Sequence, residues 1–112
     1  MALAHITAPA ADGIPSLPAS IDRTLMRAGE SGYAAFNIPA AVATKTKNAI
    51  LFLEGRKGSK SDFAPIDLLC LRSRDGGKTW GGLETIWSEG QEKDSISIGN
   101  PCPVYDVETG RL

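Results

Sequence analysis

Arg56 and Asp62 are the residues of this sequence whose types and spacing best suit chemistry. They belong to the run Glu54-Gly55-Arg56-Lys57-Gly58-Ser59-Lys60-Ser61-Asp62, which follows an apolar stretch, Ala49 to Leu53. A guanidinium held at the end of a buried strand is well placed for bidentate recognition of a carboxylate. A carboxyl group further along, in a loop rich in Gly, Ser and Lys, can swing to a substrate oxygen as a general acid. A solvated basic loop with incidental charges accounts for the same residue types, since Lys, Arg, Asp and Glu are mostly exposed in any protein. The residues alone leave both readings open.

Other chemistries find less support. His5 is the single histidine, so no histidine-based triad or zinc site can be built. Cys70 and Cys102 suit no metal motif; Cys70 sits inside an apolar run, and both are expected as buried free thiols rather than a disulfide. Neither a metal nor a cofactor is implied. Gly76-Gly77-Lys78-Thr79 resembles a phosphate loop only superficially, lacking the upstream glycine and the following helix. Tyr33, Tyr105, Trp80 and Trp87 read as packing residues, and Asp67 as a carboxylate that faces a sheet edge or caps a neighbour. Twelve Lys and Arg against 13 Asp and Glu leave a net charge of −1, which argues against nucleic acid or an anionic membrane as partner. No apolar run approaches the ~18 residues of a membrane span. Residues 1–20 lack the basic start and long apolar core of a secretory signal.

The elements that must position Arg56 and Asp62 are strands. The 112 residues suffice for one ordinary domain. Residues 1–20, with Pro9, Pro15, Pro18 and Gly13, read as an irregular lead-in, and 21–30 as a short helix or an outer strand. The lead-in as a whole is placed at 1–30, ahead of a β region covering 31–112. Strands are predicted at Phe36 to Ala43, Ala49 to Leu53, Ile66 to Arg72 and Leu83 to Trp87. The continuous apolar runs of the second and third suit strands covered on both faces. Thr44 to Asn48 is the first turn, and Glu54 to Pro65 a long loop of the kind that carries function. Glu89 to Gly99 is a charged connection, and Pro101 to Val107 opens a further strand and hairpin.

Between the third and fourth strands stands Ser73-Arg74-Asp75-Gly76-Gly77-Lys78-Thr79-Trp80, a Ser-x-Asp-x-Gly-x-Thr-Trp turn. Asp75 can accept turn N–H groups, the glycines allow positive φ, and Trp80 offers a large apolar face with one donor. This turn is similar to the Asp-box of sialidase-like β-propeller blades. The features before it add to the likeness. Phe36-Asn37-Ile38-Pro39, Leu53-Glu54-Gly55-Arg56, Asp62 and then Ser73 to Trp80 follow the order seen at the start of an exo-α-sialidase. Asn100-Pro101 with Val104, Asp106, Thr109 and Gly110 resembles the opening of the family's next blade. The resemblance covers about Tyr33 to Leu112.

The resemblance implies an all-β fold: a four-stranded antiparallel meander as the first blade, and the start of a second, of a six-bladed propeller. A blade takes ~40–50 residues and closure needs ~4–8 blades, so the chain reads as the N-terminal piece of a longer protein whose remaining blades are required in cis. It implies a glycosidase acting on terminal sialic acid of a sialylated glycan, or on a related acidic sugar, secreted or periplasmic by analogy. Arg56 would then be a carboxylate-clamping arginine, Asp62 the acid/base, and Asn100 a contact to a ring hydroxyl or N-acetyl group where many relatives have Asp. Ser73, Asp75, Gly77, Thr79 and Trp80 would be structural, at the outer rim. The nucleophilic Tyr and its Glu partner would lie beyond Leu112. Asn37 departs from the pattern, standing where the family has its first clamp arginine. Asn brings no charge and no fork of donors, and losing such a pair costs ~1.5–3 kcal/mol. A weak sialidase, an enzyme for another acidic sugar, and a non-catalytic propeller that binds glycans or proteins all fit that departure. A small independent β domain is the remaining reading.

Overall fold

A computed structural model describes residues 23–90 and 96–112. Four strands, β1 (Ala35–Ala43), β2 (Ala49–Arg56), β3 (Ile66–Ser73) and β4 (Glu84–Trp87), form one antiparallel sheet in the order β1-β2-β3-β4. The meander is the one expected. β2 runs further than its apolar core suggests, because Glu54, Gly55 and Arg56 pair with Leu68, Asp67 and Ile66. The loop therefore starts at Lys57, not at Glu54. Two other expectations are corrected. Residues 23–29 form neither helix nor strand, only a 3-10 turn following at Glu30–Gly32. Residues 101–106 form no strand, although the expected turn beyond is made, with Gly110 N donating to Asp106 O and Asp106 N to Arg111 O. The lead-in at 1–20 and His5 lie outside the described residues.

Directly opposed residues of an antiparallel pair point to one side of the sheet. The register thus sorts the side chains. Phe36, Leu53, Gly55, Asp67 and Leu69 share one face. There Tyr33, Leu53 and Leu69 form the buried cluster, flanked by Met26, Phe36 and Leu83. Burying each leucine contributes roughly 1.5–3 kcal/mol. Asn37, Glu54, Arg56, Phe52 and Leu68 share the other face, where Pro101, Pro103 and Leu112 line one open cleft with Phe52 and Leu68. Cys70 is buried on this side, whereas Cys102 is exposed, so only one thiol is sequestered as expected. Gly55 is required where it stands: a Cβ would collide with Leu69 Cδ1 and lie 2.7 Å from the Tyr33 ring. Gly55→Ala should destabilise the fold by about 1–3 kcal/mol, measured as chemical unfolding, because close-packed cores absorb extra methyls poorly.

The Ser73–Trp80 turn is held by its own side chains. Ser73 Oγ accepts from Gly77 N and donates to Asp75 Oδ1, both at 2.8 Å. Asp75 accepts Thr79 N at 2.8 Å and Thr79 Oγ1 at 2.6 Å, and Trp80 Nε1 donates to Gly77 O at 3.1 Å. The Thr79 hydroxyl and amide hold the Asp75 carboxyl down at about 2. Gly76 and Gly77 both take positive φ, 73° and 86°.

β1 contains a bulge. Asn37 pairs with Glu54 and Ala40 with Phe52, leaving Ile38 and Pro39 opposite Leu53. Ile38 takes φ +49°, a left-handed conformation that costs an ordinary residue about 1–2 kcal/mol. The bulge lies beside the charged end of β2.

Candidate functional site

Residues 54 and 56 of a strand lie on one face because strand side chains alternate. Glu54 and Arg56 consequently stand side by side at the end of β2, with 4% and 6% of their side chains exposed. Arg56 Nε and Nη2 donate to Glu54 Oε2 at 3.3 and 3.0 Å. Glu54 Oε1 accepts Asn100 N at 2.9 Å. A Cβ at Gly99 would strike this carboxylate, so the chain passes close over it.

The approach of residues 96–100 follows from a short parallel bridge between Ser97 and Ile66. Ile66 N donates to Ile96 O, Ile98 N to Ile66 O, and Ser97 Oγ to Ala64 O. Asn100 takes φ +54°, which asparagine tolerates better than most residues.

From the opposite side, the loop after β2 curls back. Its base is closed by Lys57 N donating to Pro65 O, and Gly58 turns it with φ +68°. Arg56 Nη1 then donates to Lys60 O at 2.8 Å and forms an ion pair with Asp62 Oδ1. Asn37, directly across the β1–β2 ladder from Glu54, completes the cluster. With its amide oxygen turned to the guanidinium, Asn37 Oδ1 accepts from both Nη atoms at 3.1 and 3.2 Å, and its nitrogen donates to Phe36 O.

The fold thus brings together all four expected site residues, Asn37, Arg56, Asp62 and Asn100. Arg56, Asp62 and Asn100, with Glu54, line a cleft of about 390 Å³ that Ile38 and Ile66 also line, whereas Asn37 joins the cluster only through Arg56. A larger cleft, about 590 Å³ between the 23–31 segment and Trp80 to Leu83, contains none of the four.

The electrostatics rank the contacts. Burial pulls the Arg56 guanidinium down, but the hydrogen bonds to Glu54 and Asp62 outweigh it and hold the group above its ordinary value. Every nitrogen of the guanidinium faces a protein acceptor. An incoming anion must therefore displace one of them. Asp62, 81% exposed at its side chain, is the partner that can leave at least cost, since exposed ion pairs are worth little. Glu54 cannot, being buried and bonded on both oxygens.

Glu54 is the residue that the sequence reading passed over. The signal was present in Leu53-Glu54-Gly55-Arg56, two opposite charges at strand spacing on one face. Asp67, expected to face a sheet edge or to cap a neighbour, is 2% exposed and holds neighbouring side chains. Tyr33 OH donates to its Oδ2 at 2.8 Å, and Lys57 Nζ lies 2.7 Å from Oδ1, off the hydrogen-bonding direction. Burial raises Asp67, but contact with Lys57, Ser88 and Tyr33 outweighs it and keeps the carboxyl below its ordinary value. Tyr33, buried on this carboxylate, is pushed up, by burial first. Neither group faces the cleft.

No family model matches the chain. Among curated proteins it is similar to a sialidase of Micromonospora viridifaciens, 30% identical over 96 residues, which is 85% of this chain and 15% of that protein. An exo-alpha-sialidase of Arthroderma benhamiae is 31% identical over 84 residues, 70% of this chain and 20% of the relative. Another, from Aspergillus fumigatus, is 33% identical over 78 residues, 67% and 19% respectively. The chain spans between 15% and 20% of the length of these relatives.

Proposed function

We propose that this chain, which belongs to a sialidase-like family, forms one wall of the active site of an exo-α-sialidase-type glycoside hydrolase. In this reading the four-stranded meander is the first of six propeller blades, and Ser73 to Trp80 is an Asp-box at its outer rim. Asp62 protonates the leaving glycosidic oxygen. Arg56, Asn37 and Asn100 bind the acidic sugar, and Glu54 fixes the guanidinium. The observation that carries the proposal is the Arg56–Asp62 ion pair at the cleft, a buried cation whose exposed partner can be exchanged. When a substrate anion takes that place, Asp62 is released from Arg56, takes a proton from water and can carry it to the scissile oxygen, its loop supplying the needed freedom.

The sialic acid carboxylate would repel a carboxylate nucleophile, which is why sialidases are an exception that uses tyrosine. Tyr33 is committed to Asp67, and in this reading the nucleophile is a tyrosine of the other blades. That protein is expected to release sialic acid from a fluorogenic sialoside. Absence of release at high enzyme concentration sinks the reading.

A non-catalytic glycan-binding propeller is the second reading, and Asn37 motivates it. Its amide oxygen is spent on Arg56, so it offers no cation to a substrate. Asn37→Arg separates the two. A hydrolase site lacking one arginine should gain on the order of 10–100-fold in kcat/KM when the charge-assisted pair is restored. No gain favours a different ligand.

A further inference from the structure

We infer that Ile38 is a specificity-determining residue of this cleft, supplying the apolar contact that receives the C–H face of the sugar ring; the inference rests on the sugar-binding reading above. Alternation along β1 puts Phe36 on the core face and Asn37 on the cleft face, so residue 38 belongs with the core. It is not there. The bulge opposite Leu53 breaks the alternation, and Ile38 lines the cleft with Arg56, Asp62 and Asn100. Bulges re-aim side chains in this way, often next to active sites.

The redirection is doubly unfavourable for stability. An isoleucine leaves the core face and stands 45% exposed, and its β-branched side chain is carried on a backbone of φ +49°. Asparagine or glycine adopts that backbone readily, so the conformation does not call for isoleucine. What isoleucine adds is an exposed branched hydrocarbon surface. Ile66, the other apolar residue of the cleft, is 3% exposed, and the rest of the lining is Glu54, Arg56, Asp62, Ser97, Gly99 and Asn100. Sugars present this pairing of needs: hydroxyl and carboxylate groups for the polar side, and a ring C–H face for the apolar one. Binding sites typically combine apolar walls with a few placed polar groups.

The test compares Ile38→Asn and Ile38→Val with the parent full-length protein, by thermal melting and by kinetics on a fluorogenic sialoside. Ile38→Asn relieves the backbone, so its melting temperature should hold or rise while KM increases five- to tenfold and kcat stays within twofold. Ile38→Val keeps the branched surface and should keep KM within twofold. A fall in melting temperature with unchanged KM would make Ile38 a packing residue and overturn the inference, as would an unchanged KM at constant stability. Absence of turnover in the parent counts against the hydrolase reading instead. Binding of sialyllactose by calorimetry then decides for Ile38: weaker binding by the asparagine variant supports it, while equal binding, or none by either protein, overturns it.

Discussion

Asp62→Ala in the full-length protein is expected to cut release of sialic acid from sialyllactose by about 10²–10⁴-fold, the usual contribution of a positioned general acid. The same change should leave the melting temperature almost where it was. Both expectations come from one geometry. The Asp62 side chain is 81% exposed and holds Arg56 only by an ion pair at the loop tip, and exposed pairs contribute about 0–1 kcal/mol. Arg56 keeps its bonds to Glu54 and to Lys60 O, so no buried charge is orphaned. The loss should depend on the leaving group. An aryl sialoside departs as a stabilised phenolate and needs little protonation, so its rate should fall much less than that of sialyllactose. Equal turnover of sialyllactose by variant and parent would remove Asp62 from the mechanism. An equal loss on both substrates would give it a binding role rather than an acid's role.

Glu54→Ala should have the largest effect on the fold. Glu54 joins three parts of the chain: Arg56 at 3.0 Å on its own strand, Asn100 N at 2.9 Å from the returning segment, and Asn37 by register across the ladder. Removing one partner of a buried ion pair costs roughly 3–5 kcal/mol when the remaining charge is left uncompensated. Asp62 and Lys60 O still face Arg56 in the variant, so the cost should fall toward or below the lower end of that range. Here the variant also strands the Asn100 amide. Glu54→Gln keeps an acceptor for that amide but removes the counter-charge, so it should fall between parent and alanine variant. Activity should be lost in both beyond what unfolding explains, since Arg56 is no longer aimed into the cleft. Chemical unfolding alongside kinetics on the folded fraction checks this. Wild-type stability in the alanine variant would show that Asp62 and Lys60 O suffice for Arg56 and that Glu54 does not organise the site.

Much of the sheet was legible because its signals are local. Apolar runs 49–53 and 66–71 called for strands, and β2 and β3 pair side by side in the middle of the sheet. β3 is buried almost throughout, whereas Ala49 to Phe52 of β2 stay half-buried. The Ser73–Trp80 turn was equally legible, since its bonds link residues within a few positions of one another. What misled was also local. Glu54 to Arg56 looked like loop by composition, yet hydrogen bonding to the start of β3 carries the strand through them. Pro101 to Val107 looked like strand, but no neighbouring strand is present there to pair with it among the described residues.

By itself, then, the sequence determined a four-stranded meander, its tight turns, and an arginine and an aspartate near the end of the second strand. Periodicity and turn chemistry are written in neighbouring residues, and they act before any distant contact forms. Only the tertiary structure decided that Glu54 anchors the cluster, that Asn100 closes over it from 46 residues away, that Asp67 is buried, and that a bulge turns Ile38 into the cleft. Those outcomes depend on strand register and on where the chain returns. A charge has no preferred partner until the fold sets which opposite charge lies within reach and how little water lies between them.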